Sequence, residues 1–323
     1  MKTLIAKLVL ALGIVGFASL AGFAQGWPQR PIKMIVPFPP GGGTDFVGRL
    51  VAKHLSERLG QPIFVENRGG ANGTVGLQEL MRASPDGYTI ATTSDTPLTV
   101  NPFLYKDLPY RPLQDFILVA TVARSAEMLA VHPSVPARTV PELIALAKAE
   151  PGRLTYGTAG IGNFSHLAME LLSLETGAKF MHVPYKGTGP AAMAVIAGDV
   201  QIAFIPVQTM LPHVQAGQVI ALAIGEPKRM QGLPDIPTVA ETLPGFDAAA
   251  WEGIIVPAKT PKEIVNRLRE ATLAMMHDPE IADDFARQQK IVMALDSEEF
   301  TDLVKRDSAK WGKVITAANI KGE

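Results

Sequence analysis

Short apolar runs recur along the first half of the chain, and each is followed by a polar, glycine-rich loop and then by apolar residues at helical spacing. Residues 32–38 form the first such run, and residues 63–67 and 88–93 form the next two. Runs of this length, bounded by turn residues, predict short buried strands. Three strand–loop–helix units in succession predict a parallel sheet with helices on both faces. We therefore assign the chain to the α/β class.

The second half of the chain repeats this order of elements. Residues 154–157 and 180–184 predict strands, each followed by a glycine-containing loop and a helical stretch, and two further strands are predicted at 200–205 and 219–224. Between the halves, residues 116–131 are apolar except for a polar interruption at 124–127. That interruption predicts two separate strands rather than one.

The last third of the chain is predicted to be helical. Thr260 and Glu263 fit a capping box, with Pro261 at the first helical position, so a helix is expected from there to about His277. A second long amphipathic helix is predicted from Ser297 to about residue 318.

The stretch VPFPPGGGTD, residues 36–45, is the clearest candidate for a binding site. The strand turns through glycines into a helix that Thr44 or Asp45 could cap. A helix N-terminus presents free backbone N–H groups and the positive end of the helix dipole, which suits an anion. Such turns are also common in α/β folds that bind nothing, and the stretch alone is compatible with both interpretations. The three polar loops in the first half of the chain all follow the carboxyl ends of predicted strands, where ligands bind in parallel sheets.

Composition narrows the possible functions. The composition, 47% hydrophobic and 19% charged, is that of an ordinary globular protein. A length of 323 residues is enough for about two domains. The formal net charge of −1 and the absence of a basic cluster argue against a nucleic-acid partner. The chain has no cysteine, so it has no disulfide framework.

The N-terminus predicts export. Lys2 and Lys7 precede an almost purely apolar run over residues 8–20, and small residues before Gln25 fit a cleavage site near Ala24. We therefore predict a signal peptide at residues 1–24 and a location in the bacterial periplasm.

Signatures of catalysis are lacking. The sequence contains no GxxxxGK[ST] phosphate loop and no GxSxG elbow. Ser165 and His166 are adjacent on a predicted helix, where they point about 100° apart and cannot act as nucleophile and base. The six histidines show no metal-ligand spacing. We predict no catalytic residue, no metal and no cofactor; Trp251 is interpreted either as a core residue or as an aromatic wall of a cleft.

Eight segments, taken in order, carry a family resemblance. They read VPFPPGGGTD, ENRGGANGTVG, ASPDGYTI, GTAGIGNFSHLAMELL, VPYKGTGPA, IPTVAETLPGF, WEGIIVPAKTP and KWGKVITAANI. Together they resemble the Bug family of periplasmic solute receptors, the TctC-like receptor component of tripartite tricarboxylate transporters.

The resemblance implies a two-lobed periplasmic binding protein of type II, a Venus flytrap whose lobes are mostly parallel sheets flanked by helices and close on a ligand by a hinge. It places the first lobe at residues 25–125 and 251–323, the second at 126–225, and a return crossing at 226–250.

The resemblance also implies a small carboxylate ligand, held by backbone amides and ordered waters in the interlobe cleft, and delivery to permease subunits, with presentation to a sensor kinase as a variant. The expected ligand-binding residues are Phe38, Pro40, Gly41, Gly42, Gly43, Thr44, Asp45, Thr93, Ser94, Asp95, Gly160, Gly162, Asn163, His166, Tyr185, Lys186, Gly187 and Pro206.

Departures from the family pattern suggest the kind of ligand. Asn163 stands where the family often has Ser or Thr, Ala194 where it frequently has Asp, and residues 205–207 read Ile-Pro-Val where many members have Asp or Asn. Phe46 is expected to add bulk near the cleft. These changes remove groups that could hold an ammonium, so we predict a dicarboxylate or aromatic carboxylate rather than aspartate or glutamate. The alternative function is a secreted hydrolase of esters or amides.

Overall fold

A computed structural model describes residues 26–322 of the chain. The predicted signal peptide at residues 1–24 lies outside the described residues. Within residues 26–322, no helix combines the length and the apolar character that crossing a membrane requires.

The strands form one mixed sheet with two parallel ends. In chain order they are β1 (Ile32–Val36), β2 (Ile63–Asn67), β3 (Thr89–Ser94), β4 (Phe116–Val131), β5 (Thr155–Thr158), β6 (Met181–Pro184), β7 (Ile202–Pro206), β8 (Ile220–Ile224), β9 (Ala249–Pro257) and β10 (Lys290–Val292). Their spatial order is β2-β1-β3-β9-β4-β7-β5-β6, and β8 and β10 also pair with β4. Strands β1, β2 and β3 are parallel, as are β5, β6 and β7, whereas β4 and β9 pair antiparallel with their neighbours. We call the β1–β3 end the first lobe and the β5–β8 end the second lobe.

Helices flank both ends of the sheet. They are α1 (Gly43–Leu59), α2 (Thr74–Arg82), α3 (Thr96–Thr99), α4 (Asn101–Leu104), α5 (Pro112–Asp115), α6 (Val140–Ala149), α7 (Phe164–Thr176), α8 (Thr188–Ala197), α9 (Val207–Gln215), α10 (Lys262–Met276), α11 (Pro279–Arg287) and α12 (Ser297–Ala317). Single 3₁₀ turns lie at Ala71–Gly73 and Val239–Glu241.

The prediction of two strands within residues 116–131 is wrong, because β4 is continuous. Its first part pairs with β9 in the first lobe, and its last part pairs with β7 and β8 in the second. Distant segments satisfy two of the polar residues in its middle, Arg124 and Ser125. Arg124 donates to Glu226 at 2.6 Å and to Asp247 at 2.5 Å, and the Ser125 hydroxyl donates to Glu252 at 3.2 Å.

The last helix contacts both lobes. Phe300, near the start of α12, packs edge-on against Trp251 at 5.1 Å between ring centroids, and Trp311, further along, packs edge-on against Phe164 of α7 at 5.2 Å. Trp251 is fully buried and donates from Nε1 to Asp307 at 2.9 Å. Trp251 is therefore a core residue and not a cleft wall. The residue boundaries given above for the lobes stay a prediction.

Helices α10 and α12 begin differently from one another. The predicted capping box at Thr260 is wrong: its buried hydroxyl donates to the Pro257 carbonyl at 2.8 Å, and no side chain caps α10. The Pro257 carbonyl lies one turn back along the chain, so the hydroxyl satisfies β9 instead of the helix. The start of α12 does have a capping box, formed by Asp296 and Glu299.

We expect Gly253→Ala to destabilise the protein by about 1–3 kcal/mol through overpacking. A Cβ on Gly253 would lie 2.5 Å from Phe300 Cζ and 3.1 Å from the Ala120 carbonyl oxygen, and Phe300 is fully buried. Urea unfolding measures the change. Gly189→Ala is the control: a Cβ there would have no neighbour within 4 Å, so its stability should stay the same or rise slightly. Equal effects of the two substitutions would contradict the packing argument.

Candidate ligand-binding site

The loop between β1 and α1 is held by side chains of its own lobe. Helix α1 begins at Gly43, and neither Thr44 nor Asp45 caps it, contrary to the prediction. Asp45 instead turns back, because its carboxylate accepts hydrogen bonds from the Gly41 N–H at 2.9 Å, from Arg49 Nε at 3.0 Å and from Asn67 Nδ2 at 2.8 Å. It is 4% exposed. The buried Asp45 carboxylate therefore holds the loop in shape through these hydrogen bonds.

Asp45 is charged at neutral pH. Burial works to raise its pKa, but hydrogen bonds from Arg49, Gly41 and Asn67 together outweigh burial and lower the pKa below its ordinary value. Asn67 also donates from Nδ2 to the Phe38 carbonyl at 3.0 Å. The charged carboxylate and the amide thus hold both ends of the loop.

Backbone donors at the start of α1 remain free. The N–H groups of Gly42, Gly43 and Thr44 have no hydrogen-bond acceptor among residues 26–322. They belong to the N-cap and first turn of α1, where the helix itself supplies no acceptor. The start of α1 therefore presents donors of the kind that suit an anion, although the Gly41 N–H is already engaged by Asp45.

Two side chains from elsewhere approach Gly43. Gln208 Nε2 lies 3.5 Å, and Lys290 Nζ 3.6 Å, from the position that a Cβ would take on Gly43. Gln208 is in the first turn of α9 in the second lobe, two residues after Pro206 at the end of β7. Pro206 lies opposite Glu127 of β4. The start of α1 in one lobe thus faces the start of α9 in the other.

Gln208 and Lys290 are not among the ligand-binding residues that the sequence predicts. Gln208 could have been found, because it follows the carboxyl end of a predicted strand. Lys290 carries no local signal, since it lies 247 positions after Gly43 and reaches the site only because β10 pairs with β4. Its buried ammonium donates to Glu252 at 2.8 Å and to the Ser125 hydroxyl.

The second predicted loop, residues 160–163, also has internal support. The Gly162 N–H donates to His166 Nδ1 at 3.1 Å, and the Gly160 N–H donates to the Thr158 hydroxyl at 3.3 Å. Asn163 accepts from the Ser165 N–H at 2.9 Å and so caps α7. The Ile161 N–H has no acceptor among the described residues. This loop therefore offers fewer free donors than its glycines suggest.

Gly162 can be no other residue without strain. Its φ is +68°, and a Cβ there would lie 2.6 Å from Leu104 Cδ1 of α4. Leu104 is the last residue of α4, so this close approach sets the 160–163 loop directly against that helix.

A stack of rings supports the 160–163 loop. His166 stacks on His182 with 3.8 Å between ring centroids, and the Tyr156 ring lies 5.0 Å from that of His182 and 6.2 Å from that of His166. Burial, followed by the neighbouring His182, lowers the pKa of His166 to about 3, and burial lowers that of His182 to about 4. Both rings are neutral at neutral pH. His166 accepts a backbone N–H, so it is a structural support and not the base of a Ser165 nucleophile.

Other predicted residues follow β6 or end β3. The N–H of Tyr185 donates to the Thr158 carbonyl at 2.9 Å and that of Gly187 to the Ala159 carbonyl at 3.2 Å, which fixes the loop before α8, whereas Lys186 is exposed. Thr93 is fully buried and Ser94 half-buried at the end of β3.

Phe38, within the 36–45 stretch, and Phe46, directly after it, have different surroundings. Phe38 is half-buried, and its ring lies 3.3 Å from the Cβ position of Gly73. Phe46 packs against the core of the first lobe. The bulk expected from Phe46 near the cleft is thus directed into the core, because its position on α1 faces the sheet.

Buried carboxyl groups lie at the junction of the lobes. Burial, with Asp307 and Glu252 adding to it, raises the pKa of Asp95 to about 8. Burial, with Asp95 next, raises the pKa of Glu127 well above its ordinary value. Asp95 Oδ2 and Glu127 Oε2 have no hydrogen-bond partner among residues 26–322. Both groups are thus protonated near neutrality, which removes the repulsion between them.

Comparisons with known proteins agree with this architecture. Residues 47–320 match the family described as the tripartite tricarboxylate transporter family receptor. BugT of Bordetella pertussis is 33% identical over 324 residues, covering 98% of this chain and 99% of its own. Two solved structures, a protein of R. palustris with adipate and MatC from Rhodopseudomonas palustris with bound malate, superpose with TM-scores of 0.81 and 0.75 at 31% and 30% identity. They cover 92% and 90% of this chain and 100% of each of theirs. These similarities confirm the predicted two-lobed α/β solute-binding fold.

We expect Asp95→Asn to flatten the dependence of stability on pH. The folded-state pKa of Asp95 is raised, so its protonated form favours the fold; that stability is complete below pH 4 and is lost as the pH rises towards 8. The loss approaches about 1.4 kcal/mol for each pH unit in this window. Urea unfolding at pH 5 and pH 8 should show a drop in the free energy of unfolding that is smaller for the variant by about 1–4 kcal/mol.

Asp302→Asn is the control, because Asp302 is an exposed carboxylate on α12 that pairs with Lys305. Its pH dependence should match that of the unchanged protein. Identical slopes for Asp95→Asn and the unchanged protein would show that Asp95 ionises normally in the fold.

Proposed function

This chain belongs to the tripartite tricarboxylate transporter receptor family, and on that basis we propose that it binds a small dicarboxylate between its lobes and delivers it to the membrane permease of such a transporter. Family members and structural neighbours are solute-binding receptors, so the chain is a receptor and not an enzyme. Membership of the family also implies a periplasmic location. The cleavage site near Ala24 and presentation to a sensor kinase stay predictions.

One observation carries the proposal: free N–H donors of α1 face the second lobe beside a lysine. The N–H groups of residues 42–44 and the dipole of the 17-residue helix α1 favour a carboxylate at this point. Lys290 Nζ and Gln208 Nε2, both near Gly43, would add donors from two sides. Because Gln208 belongs to the other lobe, a carboxylate at this point would favour the closed arrangement of the lobes.

The same features disfavour an amino-acid ligand. An α-ammonium near this end of the cleft would meet the Lys290 ammonium and the positive end of the α1 dipole. Where the family frequently has Asp this chain has Ala194, which is buried, and where many members have Asp or Asn it has residues 205–207, of which Pro206 is half-buried. Adipate and malate, found in the two structural neighbours, are dicarboxylates without an ammonium. An apolar body between two carboxylates would gain about 25 cal/mol for each Å² that it buries.

The hydrolase alternative has no support. Ser165 is buried in α7, and the Nδ1 of the adjacent His166 accepts the Gly162 N–H. No base is therefore available to that serine.

Isothermal titration of the purified protein with adipate, malate, terephthalate, citrate and glutamate tests the ligand class. We expect binding of one dicarboxylate per chain and much weaker binding of glutamate. Tight binding of glutamate alone would overturn the dicarboxylate proposal, and hydrolysis of a panel of esters would overturn the assignment as a receptor.

We expect Asp45→Ala to weaken binding of the best dicarboxylate by tenfold or more, equivalent to about 1.4 kcal/mol. The substitution removes the acceptor of the Gly41 N–H and frees Asn67, so the loop loses the shape that presents its donors. Asp86→Ala is a suitable control, since Asp86 is a partly exposed carboxylate paired with Arg30 far along the sheet. Unchanged affinity in Asp45→Ala would mean that the ligand does not contact this loop.

A further inference from the structure

A histidine and two carboxylates meet on the side of the first lobe where α1 lies beside α11. One ring nitrogen of His54 and one carboxylate oxygen each of Glu280 and Asp284 all lie within 4.8 Å of one another. His54 is on α1, and the two acids are one turn apart on α11. No part of the interlobe site uses these residues.

His54 is the unusual member of this cluster. It is only 1% exposed, and its buried Nε2 has no hydrogen-bond partner among residues 26–322. Nε2 points towards Asp284 and lies 3.7 Å from Oδ2, too far for a hydrogen bond. A buried ring nitrogen without a partner is costly, and a ligand between it and the carboxylates would remove that cost.

The donor set identifies the ligand. One imidazole nitrogen and two carboxylate oxygens suit Zn²⁺, whereas Mg²⁺ and Ca²⁺ prefer oxygen ligands alone. Ligand atoms about 2.1 Å from a tetrahedral Zn²⁺ lie about 3.4 Å from each other. The three side chains therefore need to close by roughly an ångström, and Glu280 is exposed and free to move. We propose that His54, Glu280 and Asp284 bind a divalent transition-metal ion, Zn²⁺ in the first instance, with water completing its coordination.

The neighbouring cations leave room for such an ion. Lys53 Nζ lies 3.6 Å from Glu280 Oε1, and both side chains are more than half exposed, so this pair is weak and easily displaced. Arg287 binds Oδ1 of Asp284 and leaves Oδ2 directed at His54. Asp284 can thus keep its arginine and bind the metal with its second oxygen.

The site ties together two elements that support the ligand-binding cleft, although it does not depend on the proposed function. Helix α1 carries the Gly42–Thr44 donors at its other end, and α11 leads directly into β10, whose first residue is Lys290. A bound ion would therefore stabilise the first lobe and restrict movement of Lys290 relative to α1.

The test uses tag-free protein that has been freed of metal with a chelator. We expect Zn²⁺ to bind with a stoichiometry of one in isothermal titration and to raise the melting temperature in a concentration-dependent way, and we expect Mg²⁺ to do neither. Asp284→Asn and Glu280→Gln should each weaken Zn²⁺ binding at least tenfold. Glu280 is exposed, and Asp284 is partly exposed and is changed only to the isosteric amide, so the variants should fold and keep their affinity for dicarboxylates.

Asp283→Asn is the matched control, because Asp283 is the exposed neighbour of Asp284 on the same helix. Its Zn²⁺ affinity should equal that of the unchanged protein. Absence of Zn²⁺ binding in the unchanged protein would overturn the proposal, as would binding that survives both ligand substitutions or that weakens equally in Asp283→Asn.

Discussion

The passage of one continuous strand, β4, from the first lobe to the second depends on charged partners for its polar middle. An arginine buried without a counter-charge would cost several kcal/mol, but Arg124 has Glu226 and Asp247, both from the segment that joins β8 to β9. On β4, Ser125 is joined to Glu252 and Lys290. The ion pairs thus bring β8, β9 and β10 to the same short stretch of β4. The two lobes share one sheet because these charges are satisfied there.

The two predicted ligand-binding loops, at residues 36–45 and 160–163, are built in the same way. Each is held by a buried side chain of its own lobe that accepts a glycine N–H: Asp45 for Gly41, and His166 for Gly162. Donors that the protein uses for itself are unavailable to a ligand. An anion would therefore find the most available donors at the free N–H groups of residues 42–44, beside Lys290 and Gln208. The glycine pattern by itself overstates the number of donors, because it does not reveal which of them are already bonded.

Charge at the junction is kept low by protonation as well as by pairing. Lys290 compensates Glu252, while burial favours the neutral forms of Asp95 and Glu127. Lys290 therefore lies close to Gly43 without the net negative charge that three ionised carboxylates would place there. A carboxylate ligand would therefore meet no net negative charge there, and the positive end of the α1 dipole would attract it. Further from the cleft, the paired helices α1 and α11 place His54 against two acids, so the same helix connects the anion-binding end to the proposed metal site.

Local sequence determined much of this protein. The strand–loop–helix order, the glycine-rich start of α1, the long C-terminal helices and the family follow from patterns within a few tens of residues, because periodicity and turn chemistry are local properties. The tertiary structure alone decided that β4 is continuous, that the Asp45 carboxylate binds Asn67, and that Phe46 and Trp251 enter the core. It also brought Lys290 to Gly43 across 247 positions. Each of these outcomes depends on a partner far along the chain, and no local pattern contains the identity or the position of that partner.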